Sequence, residues 1–184
     1  MYHYRETMDR LIEKEVTEGR VKGASALVLH RDREIYYNAF GYGDGEQGTP
    51  MARDTIIRLF SMTKPVTAAA VMILMERGDI DVWDPVSRYI PAFKCPKVWS
   101  EEKQAEVPAD REITLWDLLN MTSGIPYPDP AHEPGRRMDT VLRGLLARRA
   151  QGETVDTREY MRQIATVPLC FQPGERWMYG YSAD

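Results

Sequence analysis

Phe60-Ser61-Met62-Thr63-Lys64-Pro65 runs straight into VTAAAVMILME (residues 66–76), and the reading of this stretch decides the fold. The run is apolar almost all the way round and closes at Arg77-Gly78, which predicts a helix buried on every side. Pro65 is tolerated only in the first turn of such a helix, so the helix begins near Ser61. Three residues apart, Ser61 and Lys64 share one face, close enough for the amine to take the hydroxyl proton. Burial and the positive end of the helix dipole both favour the amine over the ammonium at Lys64. The same helix end offers backbone N–H groups to a developing oxyanion. Position alone also allows a plainer reading, a serine N-cap followed by a surface lysine.

Working outward, the segment before this helix predicts an amino-terminal helix and a hairpin. Met8, Leu11, Ile12 and Val16 recur at helical spacing and Gly19 follows, so residues 4–18 read as an amphipathic helix. Two apolar runs, residues 24–30 and 34–40, flank Arg31-Asp32-Arg33 in a hairpin pattern. The first run, ASALVLH, is apolar on both faces, which predicts a strand covered by helices on both sides. On the other side of the decisive helix, residues 94–111 form a polar, proline-punctuated surface loop. Thr114 then opens a helix, with Asp117 at capping-box spacing. Residues 125–135 hold four prolines and read as loop, and helices follow at 140–149 and 157–165.

The 184 residues suffice for one domain, or one and a fraction. Lys plus Arg number 24 against 28 Asp plus Glu, a formal net charge of −4 with no basic block, which argues against nucleic acid as a partner. With 43% hydrophobic and 28% charged residues the composition is globular, neither disordered nor fibrous. Cys95 and Cys170 lack any CxxC or Cys/His spacing, so they read as free thiols and no zinc site is predicted. The amino terminus, MYHYRETMDRLIEKEV, is charged throughout and has no stretch suited to a signal peptide or a membrane span. The expectation is a cytoplasmic chain without a membrane partner, or a periplasmic or secreted one if a leader was removed.

Chance alone gives roughly 0.5 to 1 SxxK matches in a chain this long, so the motif has to be judged by its setting. The second copy, Ser100-Glu101-Glu102-Lys103, sits in the polar insertion, where a lysine beside two glutamates keeps its proton. Gly43 to Gly48 matches GxGxxG formally, but Thr49-Pro50 follows where a helix is required, so the stretch reads as a turn. Pro134-Gly135 breaks any HExxH helix after His132, which reads as a loop residue without a role. Pro173-Gly174-Glu175-Arg176-Trp177-Met178-Tyr179 is a Pro-Gly turn leading into aromatics, and by itself more often a structural corner than a site.

Taken together, FSMTK (60–64), ITLWDLLNMTSGIP (113–126) and PGERWMY (173–179), in that order, resemble the class C serine β-lactamases, the related DD-peptidases and the esterases of the same fold. Gly78-Asp79-Ile80-Asp81 and DPVSRYIP (84–91) add to the resemblance, which covers essentially the whole chain. It implies an α/β sandwich of the β-lactamase/transpeptidase type, an antiparallel sheet flanked by helices plus a helical domain. The division would be a helix and hairpin over 1–54 and a helical region over 55–184. It further implies Ser61 as the acylated nucleophile, Lys64 as its proton acceptor and Tyr179 as the proton relay, with no metal and no organic cofactor. Substrates would be β-lactams or small carboxylic esters, and the alternative is a non-catalytic penicillin-recognising or scaffold member, or an inactive amino-terminal fragment of the enzyme.

The chain departs from the family pattern at three points. Tyr181 stands where the family places an amide-binding asparagine, a substitution that points to esters; Met121 stands where a histidine is often found. No Lys-Thr-Gly or His-Thr-Gly occurs in the chain. The resemblance therefore implies the amino-terminal part of the fold, with an incomplete sheet, completed by a complementary carboxyl-terminal fragment or a second copy.

Overall fold

The computed structural model describes residues 4–44 and 48–183, so the GxGxxG match at 43–48 falls partly outside the described residues. The chain divides into two compact units, Met1–Phe60 and Ser61–Asp184.

In the first unit, helix α1 (Tyr4–Thr17) lies against a hairpin of β1 (Gly23–His30) and β2 (Arg33–Gly41). Arg31 and Asp32 make the turn with φ of 48° and 59°, the two left-handed residues that match the twist of a tight antiparallel hairpin. A bulge falls between Val28 and Leu29. Asp9 ties α1 to β2, its Oδ1 accepting from Tyr36 Oη at 2.7 Å and from Asn38 Nδ2 at 2.9 Å. Among the described residues β1 lacks the predicted cover on both faces: α1 packs against the hairpin, and Leu27 and Leu29 remain exposed.

The second unit opens with α2 (Thr63–Glu76) and continues through short 3₁₀ turns at Val86–Arg88 and Pro91–Phe93. The segment predicted to be an irregular loop holds a hairpin, β3 (Lys97–Ser100) and β4 (Ala105–Pro108). It is held inward by Val98, which is buried and bridges Leu169, where Trp99 N donates to Leu169 O at 2.9 Å. Helices α3 (Leu115–Leu119), α4 (Glu133–Ala150) and α5 (Thr157–Ile164) complete the unit. Its core gathers Val86, Phe93, Val98, Ile113, Ile125, Met138, Ile164, Val167 and Leu169.

Helix α4 starts seven residues earlier than the sequence predicts. His132 caps it by accepting from Gly135 N at 3.0 Å, and Pro134 sits in the first turn, where the missing N–H costs nothing. Gly135 packs against the Asp129 backbone so closely that a Cβ there would collide with it. His132, read as a loop residue without a role, is thus the helix cap. Helix α2 also differs from expectation: of its residues only Lys64 is buried, and Val66, Met72, Ile73 and Leu74 are exposed. Its sequence is apolar all round, but the described residues do not cover it. Among those residues no helix is long and apolar enough to cross a membrane.

Candidate active site

Ser61 lies in the 3₁₀ turn Phe60–Met62, which leads without a break into α2. Phe60, just before it, has a φ of 49°, a left-handed backbone that costs an L-residue about 1–2 kcal/mol. Ser61 is exposed, whereas Lys64, one turn on, is 9% exposed. The 3.6-residue repeat thus sets an accessible hydroxyl beside a sequestered amine.

Two phenol rings flank that amine, and a third packs on one of them. Lys64 Nζ donates to Tyr127 Oη at 3.0 Å and lies 5.2 Å from the centre of the Tyr179 ring. The Tyr127 ring is 5.6 Å from that of Tyr179 and meets Tyr181 edge-on at 4.3 Å. Trp177 lies 6.4 Å from Tyr179. Of the residues singled out in the sequence, Lys64, Tyr179 and Tyr181 come together in one cluster, with Ser61 at the head of the helix that delivers Lys64. Ser100 and Lys103 lie in the β3–β4 hairpin, Ser100 half-buried at the end of β3 and Lys103 in its exposed turn.

The tyrosine segment is held by the loop after α3. Cys170 N donates to Gly124 O at 2.8 Å, Gly174 N to Thr122 O at 2.8 Å and Met178 N to Met121 O at 3.0 Å. Ser123 and Ser182, both buried, share a hydrogen bond of 2.7 Å. Gly180 sits against the Ile125 carbonyl, where any Cβ would collide with the oxygen. Met121, with φ 59°, follows the C-cap of α3 and occupies the left-handed position usually given to glycine. The Thr122 N to Asp117 O and Met121 N to Leu118 O bonds complete that helix stop. Reversing the chain there turns the Met121 carbonyl toward Met178.

Beneath this loop Asp117, 1% exposed, closes the predicted capping box with Thr114. Its carboxylate also accepts both Arg111 Nη1, at 2.6 Å, and Nη2, at 2.9 Å. Burial opposes its ionisation, yet the Arg111 guanidinium and the Thr114 N–H and hydroxyl outweigh that and hold the carboxyl below the usual range. Arg111 in turn packs under Gly174, whose left-handed φ of 85° strains any other residue there and whose Cβ would displace the guanidinium.

The Beta-lactamase family model matches residues 8–183. The chain belongs to the β-lactamase family. It is 31% identical over 185 residues to esterase EstB of Burkholderia gladioli, spanning 96% of this chain and 42% of EstB. It is 35% identical over 170 residues to protein Rv1367c of Mycobacterium tuberculosis, spanning 90% of this chain and 40% of that protein. Among solved structures it superposes on EstCE1, described as a hydrolase with promiscuous acyltransferase activity, with a TM-score of 0.73 and 28% identity, covering 95% of this chain and 43% of EstCE1. The fold is the α/β fold of this family, and the family includes hydrolases. The chain spans less than half the length of these relatives.

Within this frame Tyr127 is the residue that sequence reasoning missed. It lies in the proline-rich stretch Ile125 to Pro130, between Pro126 and Pro128. A tyrosine placed by flanking prolines just after Thr-Ser-Gly was the available signal. Among the described residues no cluster of three or more His, Cys, Asp or Glu side chains is arranged to hold a metal ion.

Proposed function

We propose that the protein is a serine hydrolase that passes the acyl group of a small carboxylic ester to water through Ser61. The observation that carries this reading is the buried Lys64 amine, 3.0 Å from the Tyr127 hydroxyl and beside the Tyr179 ring, one helical turn from an exposed serine. A neutral amine that spends one N–H on Tyr127 still has its lone pair, which takes the Ser61 proton as Oγ bonds to the ester carbon. N–H groups at the start of α2 stabilise the resulting oxyanion. The carbon–oxygen bond to the alcohol then breaks, and the leaving alkoxide takes a proton from Tyr179, which Lys64 replenishes. Water enters, gives a proton to the same pair and attacks the acyl carbon; Ser61 Oγ leaves with a proton returned by Lys64.

Tyr181 supports esters over β-lactams, because a bulky ring stands where the sequence pattern calls for an amide-binding asparagine. The test compares nitrophenyl butyrate with a chromogenic cephalosporin on the chain together with the polypeptide proposed below to cover α2, and on its Ser61→Ala variant. The reading expects ester turnover to dominate and to fall at least about a thousandfold in the variant. A large preference for the cephalosporin would replace the ester reading with a β-lactam one, and unchanged turnover in Ser61→Ala would remove the nucleophile.

The exposed apolar side chains of α2 need a cover. We propose that it is polypeptide corresponding to the share of the relatives' length that this chain does not span, and that turnover depends on it. Size-exclusion chromatography of the 184-residue chain with an ester assay tests this. The expected result is self-association or aggregation with near-background activity; a monodisperse, active monomer would overturn it, and an ordered dimer would assign the cover to a second copy.

A further inference from the structure

Tyr181, which meets Tyr127 edge-on, also lines a pocket of about 420 Å³ between α4 and α5, a volume within the range of small-molecule sites. Leu142, Leu145 and Leu146 of α4, Val155 and Tyr160 give it an apolar lining, and Tyr181 completes it. Its two charged lining residues, Arg149 and Asp156, are of opposite sign, and the Asp156 carboxylate is engaged in capping α5, where Oδ1 accepts from Glu159 N at 2.7 Å. The lining therefore favours an uncharged, apolar occupant over an ion. Tyr181 is the residue common to this pocket and to the cluster around Lys64, through its edge contact with Tyr127.

We propose that Tyr181 is the specificity-determining partition between the reacting centre and this pocket: with the ring in place the protein takes esters of short acyl chains, and with the ring removed the chain of a longer ester passes into the α4–α5 pocket. The proposal rests on the serine-hydrolase reading above. Tyr181 bears edge-on against Tyr127, which accepts from the Lys64 amine, and it lines the pocket beside Leu142 and Leu145, so removing its ring joins that pocket to the cluster. Each methylene that gains apolar surroundings there contributes about fourfold in affinity, so a few methylenes suffice to invert a chain-length preference.

The test compares kcat/KM for nitrophenyl butanoate and decanoate in the chain together with its proposed α2 cover, and in the Tyr181→Ala and Tyr181→Leu variants of the same assembly. The expected result is a shift of the decanoate-to-butanoate ratio of at least about tenfold in Tyr181→Ala, and a smaller one in Tyr181→Leu, which keeps more of the apolar bulk that packs on the core. Adding Leu146→Trp, at a position exposed enough to accept the larger ring, should fill the pocket and reverse the gain. An unchanged ratio in a folded Tyr181→Ala would overturn the proposal. A second readout separates its failure from that of the nucleophile assignment. In a Ser61→Ala background, methyl decanoate followed by NMR should perturb the Leu145 methyls and the Tyr179 ring together only when Tyr181 is alanine. If it perturbs them together with Tyr181 intact, or never does so, the partition is wrong whatever Ser61 does.

Discussion

Replacing Asp117 with alanine tests how the tyrosine segment is supported. The carboxylate accepts two bonds from Arg111, two from Thr114 and a longer one of 3.3 Å from Thr122 Oγ1. Its side chain is 2% exposed while that of Arg111 is 45% exposed, so the arginine regains water when its partner is lost. Breaking a fully buried pair costs about 3–5 kcal/mol, and the exposure of Arg111 places this case near the lower end, about 3 kcal/mol. With a urea dependence of about 2 kcal/mol per molar, the unfolding midpoint should fall by about 1.5 M. Tryptophan fluorescence reads the transition directly, since the chain has four tryptophans. The pH dependence has a definite sign. A carboxyl held below its unfolded value stabilises the fold above that value, near pH 3.9, and loses this contribution as pH falls through the lowered one. The gap between the parent and Asp117→Ala should therefore narrow at acid pH and stay constant from about pH 5 upward. A loss below about 1 kcal/mol at neutral pH, or a gap that widens on acidification, would refute the reasoning.

Three further outcomes follow from local geometry. Gly180→Ala puts a Cβ onto the Ile125 carbonyl and should cost about 1–3 kcal/mol in a thermal melt, whereas Gly144→Ala, on α4 with open space at the Cβ, should raise stability by about 0.5–1 kcal/mol. Tyr127→Phe keeps the ring contacts but removes the hydroxyl that accepts from Lys64; with the fold intact by circular dichroism, ester turnover should fall about tenfold to a hundredfold. Burial pushes the Cys170 thiol up to about 11, while Cys95 is exposed, so iodoacetamide at pH 8 should modify Cys95 well before Cys170 in peptide mass mapping.

The parts of the fold legible in the sequence are those that local chemistry specifies. The spacing of Met8, Leu11, Ile12 and Val16 marks α1, and Thr114 with Asp117 marks the start of α3, because a helix face and a capping box are written within a few residues. The β3–β4 hairpin was hidden because the part of it that is fully buried is Val98, set among charged neighbours. Pro134 and Gly135 were read as helix breakers, although the first turn of a helix tolerates both. The burial of α2 was overestimated, since an apolar sequence states a need for cover without supplying it. At the candidate site, the Ser61–Lys64 spacing and the Tyr179 turn were visible as motifs. The partnership of Lys64 with Tyr127 was not, since it joins residues 63 positions apart and depends on how the loop after Thr-Ser-Gly is folded back.

The central claim is that Ser61 carries the acyl group, and intact mass spectrometry of the chain, together with its proposed α2 cover, quenched during turnover of nitrophenyl butyrate tests it most directly. The account predicts a species heavier by one butanoyl group, mapped to the peptide containing Ser61 and missing in Ser61→Ala. An adduct located on another residue, or ester hydrolysis that persists undiminished in Ser61→Ala, would contradict it.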